Sequence, residues 1–182
     1  MPIYSVAISP PEAVISQVAD MKQQLKNKIG FYQSCNSLAH ITINGFIGNE
    51  ATLQRWQRYL TDFTANCTPM TLCFNRTGYF GNGAFFLAPD DESKVGLVGM
   101  MKRFHAGFPA AAFGKSTVPH ISIGRQLNDD QLAVAKDLIT NVDLSFVCDN
   151  LVIRKLNEDR GQYDIYKRFD FSGKDLFSEV IE

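Results

Sequence analysis

The chain has 182 residues, 45% of them apolar and 14 of them Phe, which is enough to bury a packed core. Eighteen Lys and Arg against 19 Asp and Glu leave a formal charge of -1, which excludes a general attraction to long nucleic acids. No extended nucleic-acid surface is expected, and recognition of a polyanion must be local, as with a nucleotide or an RNA end.

Met1 to Ser9 lacks both a basic leader and a long apolar stretch, so neither a signal peptide nor a membrane span is expected, and the cytoplasm is the simplest compartment. Ile3 to Ser9 reads as a strand stopped by Pro10-Pro11, with Ser9 placed to cap the helix that follows. Val14, Val18, Met21 and Leu25 recur at helical spacing between Glu12 and Ile29. Leu38 to Phe46 reads as a strand, and Ala51 to Cys67 as a helix with Leu53, Trp56, Leu60 and Phe63 on one stripe. Met70 to Phe74 and Ala84 to Leu87 are short strands around a hairpin connection, Gly78 to Gly83. A helix follows Asp90-Asp91-Glu92, with Val95, Val98, Met101 and Phe104 as its apolar stripe. Val118 to Gly124 is then a strand, Asn128 opens a helix to about Thr140, and Leu144 to Leu156 with Gln162 to Phe171 form a closing hairpin.

The plan repeats: each half has a strand bearing a histidine, then a helix, then a hairpin, with His40 and His120 standing 80 residues apart. The strands carry the same statement, His40-Ile41-Thr42-Ile43 and His120-Ile121-Ser122-Ile123. In extended backbone each histidine shares a face with the hydroxyl two residues on, while the isoleucines face the other way. Two such strands side by side give two imidazoles, suited to proton transfer near neutral pH, and two hydroxyl donors for one small anion. Cys35, Cys67, Cys73 and Cys148 show no C-x-x-C pairing and no metal-like spacing with histidine, so no metal site is expected and reduced thiols are the default.

These residues carry a resemblance. The chain is similar to the two-histidine (2H) phosphoesterase superfamily, which includes bacterial 2′-5′ RNA ligase-like proteins and plant and fungal cyclic nucleotide phosphodiesterases. Two H-x-[ST]-Φ motifs, Φ being apolar, define that family, and both motifs here match. Phe46-Ile47-Gly48, Gly78-Tyr79-Phe80, Arg125 and Gly161-Gln162-Tyr163 also look like family features. One departure is visible: Asn44-Gly45 precede Phe46 where many members have a single residue, which fits either a bulge or a family branch.

The resemblance implies an α+β fold of two pseudo-symmetric lobes, each an antiparallel sheet flanked by helices, around a central cleft. Residues 1–182 would form a single domain of two interleaved lobes, acting as a monomer. It further implies cofactor-free, metal-independent hydrolysis of 2′,3′-cyclic phosphates on nucleotides or RNA ends, with 2′-5′ RNA ligation at the same site. His40 and His120 would be acid and base, in an order that depends on which ribose oxygen leaves, and Thr42 and Ser122 the phosphate binders. Alternatives are cleavage of 2′-5′-linked or cyclic oligonucleotides by the same site, and a nucleotide-binding module without turnover.

Other residues are open to two readings. Simple alternation points Arg125 away from Ser122, so a salt bridge and a substrate contact are balanced unless the strand turns first. Tyr79, Phe80, Tyr163 and Tyr166 can stack on a base or serve the core. Lys115, in Gly114-Lys115-Ser116, can add charge near the cleft mouth, but a strand rather than a helix follows, so a triphosphate-binding loop is not expected. His105 ends a helix, where a cation is favoured.

Overall fold

Apolar alternation and helical spacing produce eight strands and four helices in the computed structural model, which describes residues 1–107 and 111–173. In chain order they are β1 (Ile3–Ile8), α1 (Glu12–Ile29), β2 (Ile41–Ile47), α2 (Glu50–Ala65), β3 (Met70–Phe80), β4 (Ala84–Pro89), α3 (Asp91–Gly107), β5 (Ile121–Gly124), α4 (Asp129–Leu138), β6 (Leu144–Cys148), β7 (Asn150–Asn157) and β8 (Gln162–Asp170). Every strand pairing is antiparallel, and the eight join in one sheet in the order β6-β3-β4-β5-β2-β1-β7-β8.

The two histidine motifs meet in the middle of that order, with four strands on either side. The hairpin β3-β4, which follows the first motif in sequence, lies on the side of the second, and β7-β8 lies on the side of the first. The contacts that build each side are therefore long-range in sequence.

Helices cover the isoleucine face of the sheet. Helix α1 packs on β5 and α4, α2 on β7 and β8, and α3 on β3 and β4. A run of stacked rings ties these layers: Tyr4 to Phe46 at 4.9 Å, Phe46 to Trp56 at 4.7 Å and Trp56 to Phe104 at 6.1 Å, all buried. Such pairs add about 0.5–1.5 kcal/mol each beyond burial alone.

The extra residue before Phe46 is a β-bulge. Residues 44–47 pair with β1 in one register and residues 41–42 in another, so one residue of β2 has no opposite number. Strict alternation from Ile41 would put Phe46 on the cleft face. The bulge returns it to the core and leaves both Asn44 and Gly45 facing the cleft. Phe113 bridges Gly45 through a pair of 2.8 Å backbone hydrogen bonds, and Ser116 N–H donates to the Ile43 carbonyl at 2.8 Å. The Phe113 ring lies so close that a β-carbon on Gly45 would stand 2.5 Å from it. A side chain there would require the half-exposed Phe113 ring to shift.

Three expectations are corrected. The hairpin connection is shorter than Gly78 to Gly83, because β3 continues through Phe80; Gly78 sits inside the strand beneath the Phe86 ring, where a β-carbon would lie 2.5 Å from it. Leu144 to Leu156 is not one strand. It breaks at Asp149 into β6 and β7, which lie in opposite halves of the sheet, and Asn150 pins β7 to β1 by bonding both the N–H and the carbonyl of Ser9. Ser9 does not cap α1: the helix begins at Glu12 with Pro11 as its N-cap and no side-chain bond, which leaves Ser9 two residues outside the cap. Asn49, and Asn128 with Gln131, do cap α2 and α4.

Candidate active site

Both histidines stand one residue before a laddered strand, and the alternation read from sequence holds: His40 and Thr42 are partly exposed and Ile41 and Ile43 buried, as are His120 and Ser122 against Ile121 and Ile123. Ile41 pairs with Ile121. All four polar side chains line one cleft of about 480 Å³ on the face opposite the helices.

Each ring is held the same way. Nδ1 of His40 lies 2.7 Å from the Leu38 carbonyl, and Nδ1 of His120 lies 2.8 Å from that of Val118. A carbonyl only accepts, so Nδ1 carries the hydrogen and the free Nε2 of each ring is left for proton exchange in the cleft. Phe80 and Phe86 wall His120 at 5.5 and 5.0 Å between ring centres.

Both imidazoles have their pKa lowered from the ordinary histidine value. Burial lowers the pKa of His40 well below the ordinary histidine value, the charges of Arg154 and Lys22 lower it further, and the Leu38 carbonyl opposes them. His120 is lowered by burial and by Arg125, against the Val118 carbonyl. His40 also feels the charge of His120. The environment is cationic because, among the described residues, no Asp or Glu lines the cleft while two arginines do. Such a cleft concentrates anions.

Of the weaker candidates, Phe80, Arg125 and Tyr163 line the cleft and Tyr79, Lys115 and Tyr166 do not. Arg125 reaches it because β5 ends at Gly124 and the chain turns at once: Gln126 has a φ of 55°, and Arg125 N–H donates to the Gln33 carbonyl at 3.2 Å. Among the described residues it forms no ion pair. Tyr79 lies on the neighbouring residue of β3, with Lys136 Nζ 3.5 Å over its ring. Tyr166 sits edge-on to Tyr4 at 6.3 Å, on the core side. Lys115 is exposed between two lining residues, Gly114 and Ser116. His105 does more than end its helix: its Nε2 lies 2.9 Å from the Ser116 carbonyl, tying α3 to the cleft wall.

Sequence reasoning missed Arg154, Asn44, Ser5 and Lys22. Arg154, 7% exposed, follows Leu151-Val152-Ile153 in β7, and a charge ending a run of buried apolar residues was the available signal. Lys22, on the buried stripe of α1, donates to the carbonyls of Ser34 and Ser37 and to Ser37 Oγ, and so fastens the loop that forms one wall of the cleft. Burial pushes its pKa down to about 8. Among the described residues, no three His, Cys, Asp or Glu side chains gather as a metal site would require.

The family model described as the 2′-5′ RNA ligase superfamily matches residues 10–160, both motifs included. The chain belongs to the 2′-5′ RNA ligase superfamily. This places it among 2H phosphoesterases, enzymes of phosphoesterase or RNA ligase type. Among curated proteins none matches the chain in sequence. The superfamily fold is also found in solved structures: TT0787 of Thermus thermophilus superposes with a TM-score of 0.65 at 16% identity, covering 96% of this chain and 100% of its own. E. coli LigT complexed with 3′-AMP gives 0.63 at 15% identity, covering 94% and 99%. Kluyveromyces marxianus Usb1 gives 0.52 at 12% identity, covering 83% and 92%. At these identities the likeness concerns the fold, an α+β arrangement about a curled antiparallel sheet.

Proposed function

We propose that this superfamily member opens 2′,3′-cyclic phosphates on nucleotides or RNA ends with water, and that the same site joins 2′-5′ RNA when a 5′-hydroxyl takes the place of water. The observation that carries the reading is the matched pair of rings, each with Nδ1 on a carbonyl two residues back and Nε2 free in one cleft without carboxylates. E. coli LigT, which shares the fold, has been crystallised with 3′-AMP, a ribose phosphate of the class this reaction produces.

In hydrolysis one ring takes a proton from water as its oxygen attacks phosphorus, the bond to one ribose oxygen breaks, and the other ring protonates that oxygen. The base must be neutral and the acid protonated when substrate arrives. His40, whose pKa is lowered further, fits the base, and His120 the acid. Thr42, Ser122 and Arg125, which line the same cleft, would donate to the non-bridging oxygens, where charge accumulates.

The test is turnover of adenosine 2′,3′-cyclic phosphate followed by phosphorus NMR, which separates the 2′ and 3′ monoesters. His40→Ala and His120→Ala should each lower kcat by about 10²–10⁴, with EDTA without effect. Wild-type turnover in both variants would overturn the reading, and tight binding without any product would favour a nucleotide sensor.

A further inference from the structure

Among the described residues, Arg154 is a buried cation without a counter-ion. It is 7% exposed and lines the cleft; its Nη2 donates to Ser5 Oγ at 2.9 Å, its guanidinium lies 5.2 Å from the Tyr163 ring centre, and its Nε has no hydrogen-bond partner. Among the described residues it forms no ion pair with a carboxylate. Guanidinium stays charged at neutral pH even when desolvated, and burial here brings its pKa down only to about 10. A buried charge held by one hydroxyl and one aromatic face is poorly compensated, and an anion from outside would complete it.

Strand register separates this cation from the catalytic groups. Ala7 pairs with both Thr42 and Val152, so the hydroxyl of Thr42 belongs to that row. Ser5, one row further along β1, pairs with both Gly45 and Arg154. A guanidinium reaching Ser5 Oγ therefore lies one strand over and one pleat repeat along from Thr42, roughly 8 Å away by strand spacing and rise. Arg125 lies at the opposite end of the cleft, against Gln33. Between the row of Thr42 and Arg154 stands Asn44, 2% exposed, whose Oδ1 also lacks a partner. A second anion site with an unsatisfied amide on the way to it fits a ligand longer than one phosphate.

We infer that Arg154, with Ser5 beside it and Asn44 on the path, forms a second phosphate subsite that selects substrates carrying another phosphate across the ribose from the one that reacts. In a nucleotide with a 2′,3′-cyclic phosphate, the nearest second phosphate is on the 5′ oxygen. It is a 5′-monoester in a mononucleotide and a diester at an RNA end, and both offer the same oxygens to a guanidinium. The inference rests on the proposed phosphoesterase reading for which phosphate reacts, but the subsite can be tested without turnover.

The experiment compares kcat/KM for adenosine 2′,3′-cyclic phosphate, its 5′-phosphorylated form and the dinucleotide ApA ending in the cyclic phosphate. The wild type should prefer one or both of the latter by 10-fold or more, and which one is preferred identifies the source of the phosphate. In Arg154→Gln the preference should fall to near unity, with Arg154→Lys intermediate. The ratio between substrates cancels any general loss of active enzyme. A wild-type ratio near one overturns the subsite whether or not the variants fold, and so does an equal loss on all three substrates, because the preference then survives without the guanidinium. Absence of turnover would end the phosphoesterase reading alone. The subsite is then decided by calorimetry: adenosine 3′,5′-bisphosphate should bind wild type at least 10-fold tighter than 3′-AMP, and equal affinities overturn it.

Discussion

Ile41 faces Ile121 across the middle of the sheet, and each directly follows a cleft histidine. Extending this antiparallel register one residue either way sets His40 opposite Ser122 and Thr42 opposite His120, so each imidazole has the other motif's hydroxyl as its cross-strand neighbour. One apolar pair thus fixes the mutual placement of four polar groups, and both of its members are fully buried. Ile121→Ala should cost about 2–4 kcal/mol of stability and lower kcat as well. Leu60→Ala, an equally buried site on α2 outside the cleft lining, should cost similar stability with little change in kcat. Thermal melts paired with initial rates check this, and equal effects of the two variants on kcat would show that the pair is merely core.

The pH dependence follows from the cationic, desolvated surroundings of both rings. With His40 as base, activity appears as pH rises through its pKa, which lies well below the ordinary histidine value; with His120 as acid, activity is lost as pH rises through its own, also lowered. The kcat/KM profile reports the free enzyme and should be a bell centred on the acid side of the ordinary histidine pKa. Bound phosphate brings negative charge to both rings and raises both pKa values, so the kcat profile should lie at higher pH than the kcat/KM profile. Steady-state rates across the acid, neutral and mildly alkaline range test this, and a kcat profile displaced downward would contradict the electrostatics of the empty cleft.

How much of this was legible in the sequence depended on how local the signal was. The motifs, their alternation and the apolar stripes of α1 and α2 are local patterns, and the strands and helices formed where those patterns lie. The partnership of β6 with β3, and of β7 with β1, is not local: nothing within Leu144 to Leu156 says that a chain passing through Asp149 changes sides of the sheet. Arg125 was misaimed by alternation because the strand ended one residue before it. Arg154, at the end of an apolar run, and Lys22, on a helical stripe, escaped notice because such cations are ordinarily solvated, and only the tertiary fold removes their access to water.

A side chain at Gly45 should carry a cost. Its conversion to Ala places a methyl group 2.5 Å from the Phe113 ring, in a stretch where paired backbone hydrogen bonds prevent the two segments from moving apart easily. Gly45→Ala should cost about 1–3 kcal/mol, as overpacking does, and trimming the ring in Gly45→Ala/Phe113→Ala should recover part of the loss. A double-mutant cycle on melting free energies measures the coupling, and additive losses would show that the ring is not the obstacle.

Phe80 offers a way to move one titration without the other. Its ring meets His120 edge-on at 5.5 Å and forms, with Phe86, the apolar wall on that side of the cleft. Burial is the first cause of the lowered pKa of His120, so Phe80→Ala, by admitting water, should bring that pKa back up toward the ordinary value. His40, lowered by its own burial and by Arg154 and Lys22, keeps those surroundings. The alkaline limb of kcat/KM should therefore shift to higher pH while the acid limb stays in place, and the bell should broaden. Proton NMR of the two imidazole C–H signals gives the same answer without turnover: the His120 midpoint should rise alone. A rise in His40 instead, or in both equally, would mean that the wall does not act on the ring it touches, and a shift of the acid limb together with a rise in the His120 midpoint would mean that the acid and base are assigned the wrong way round.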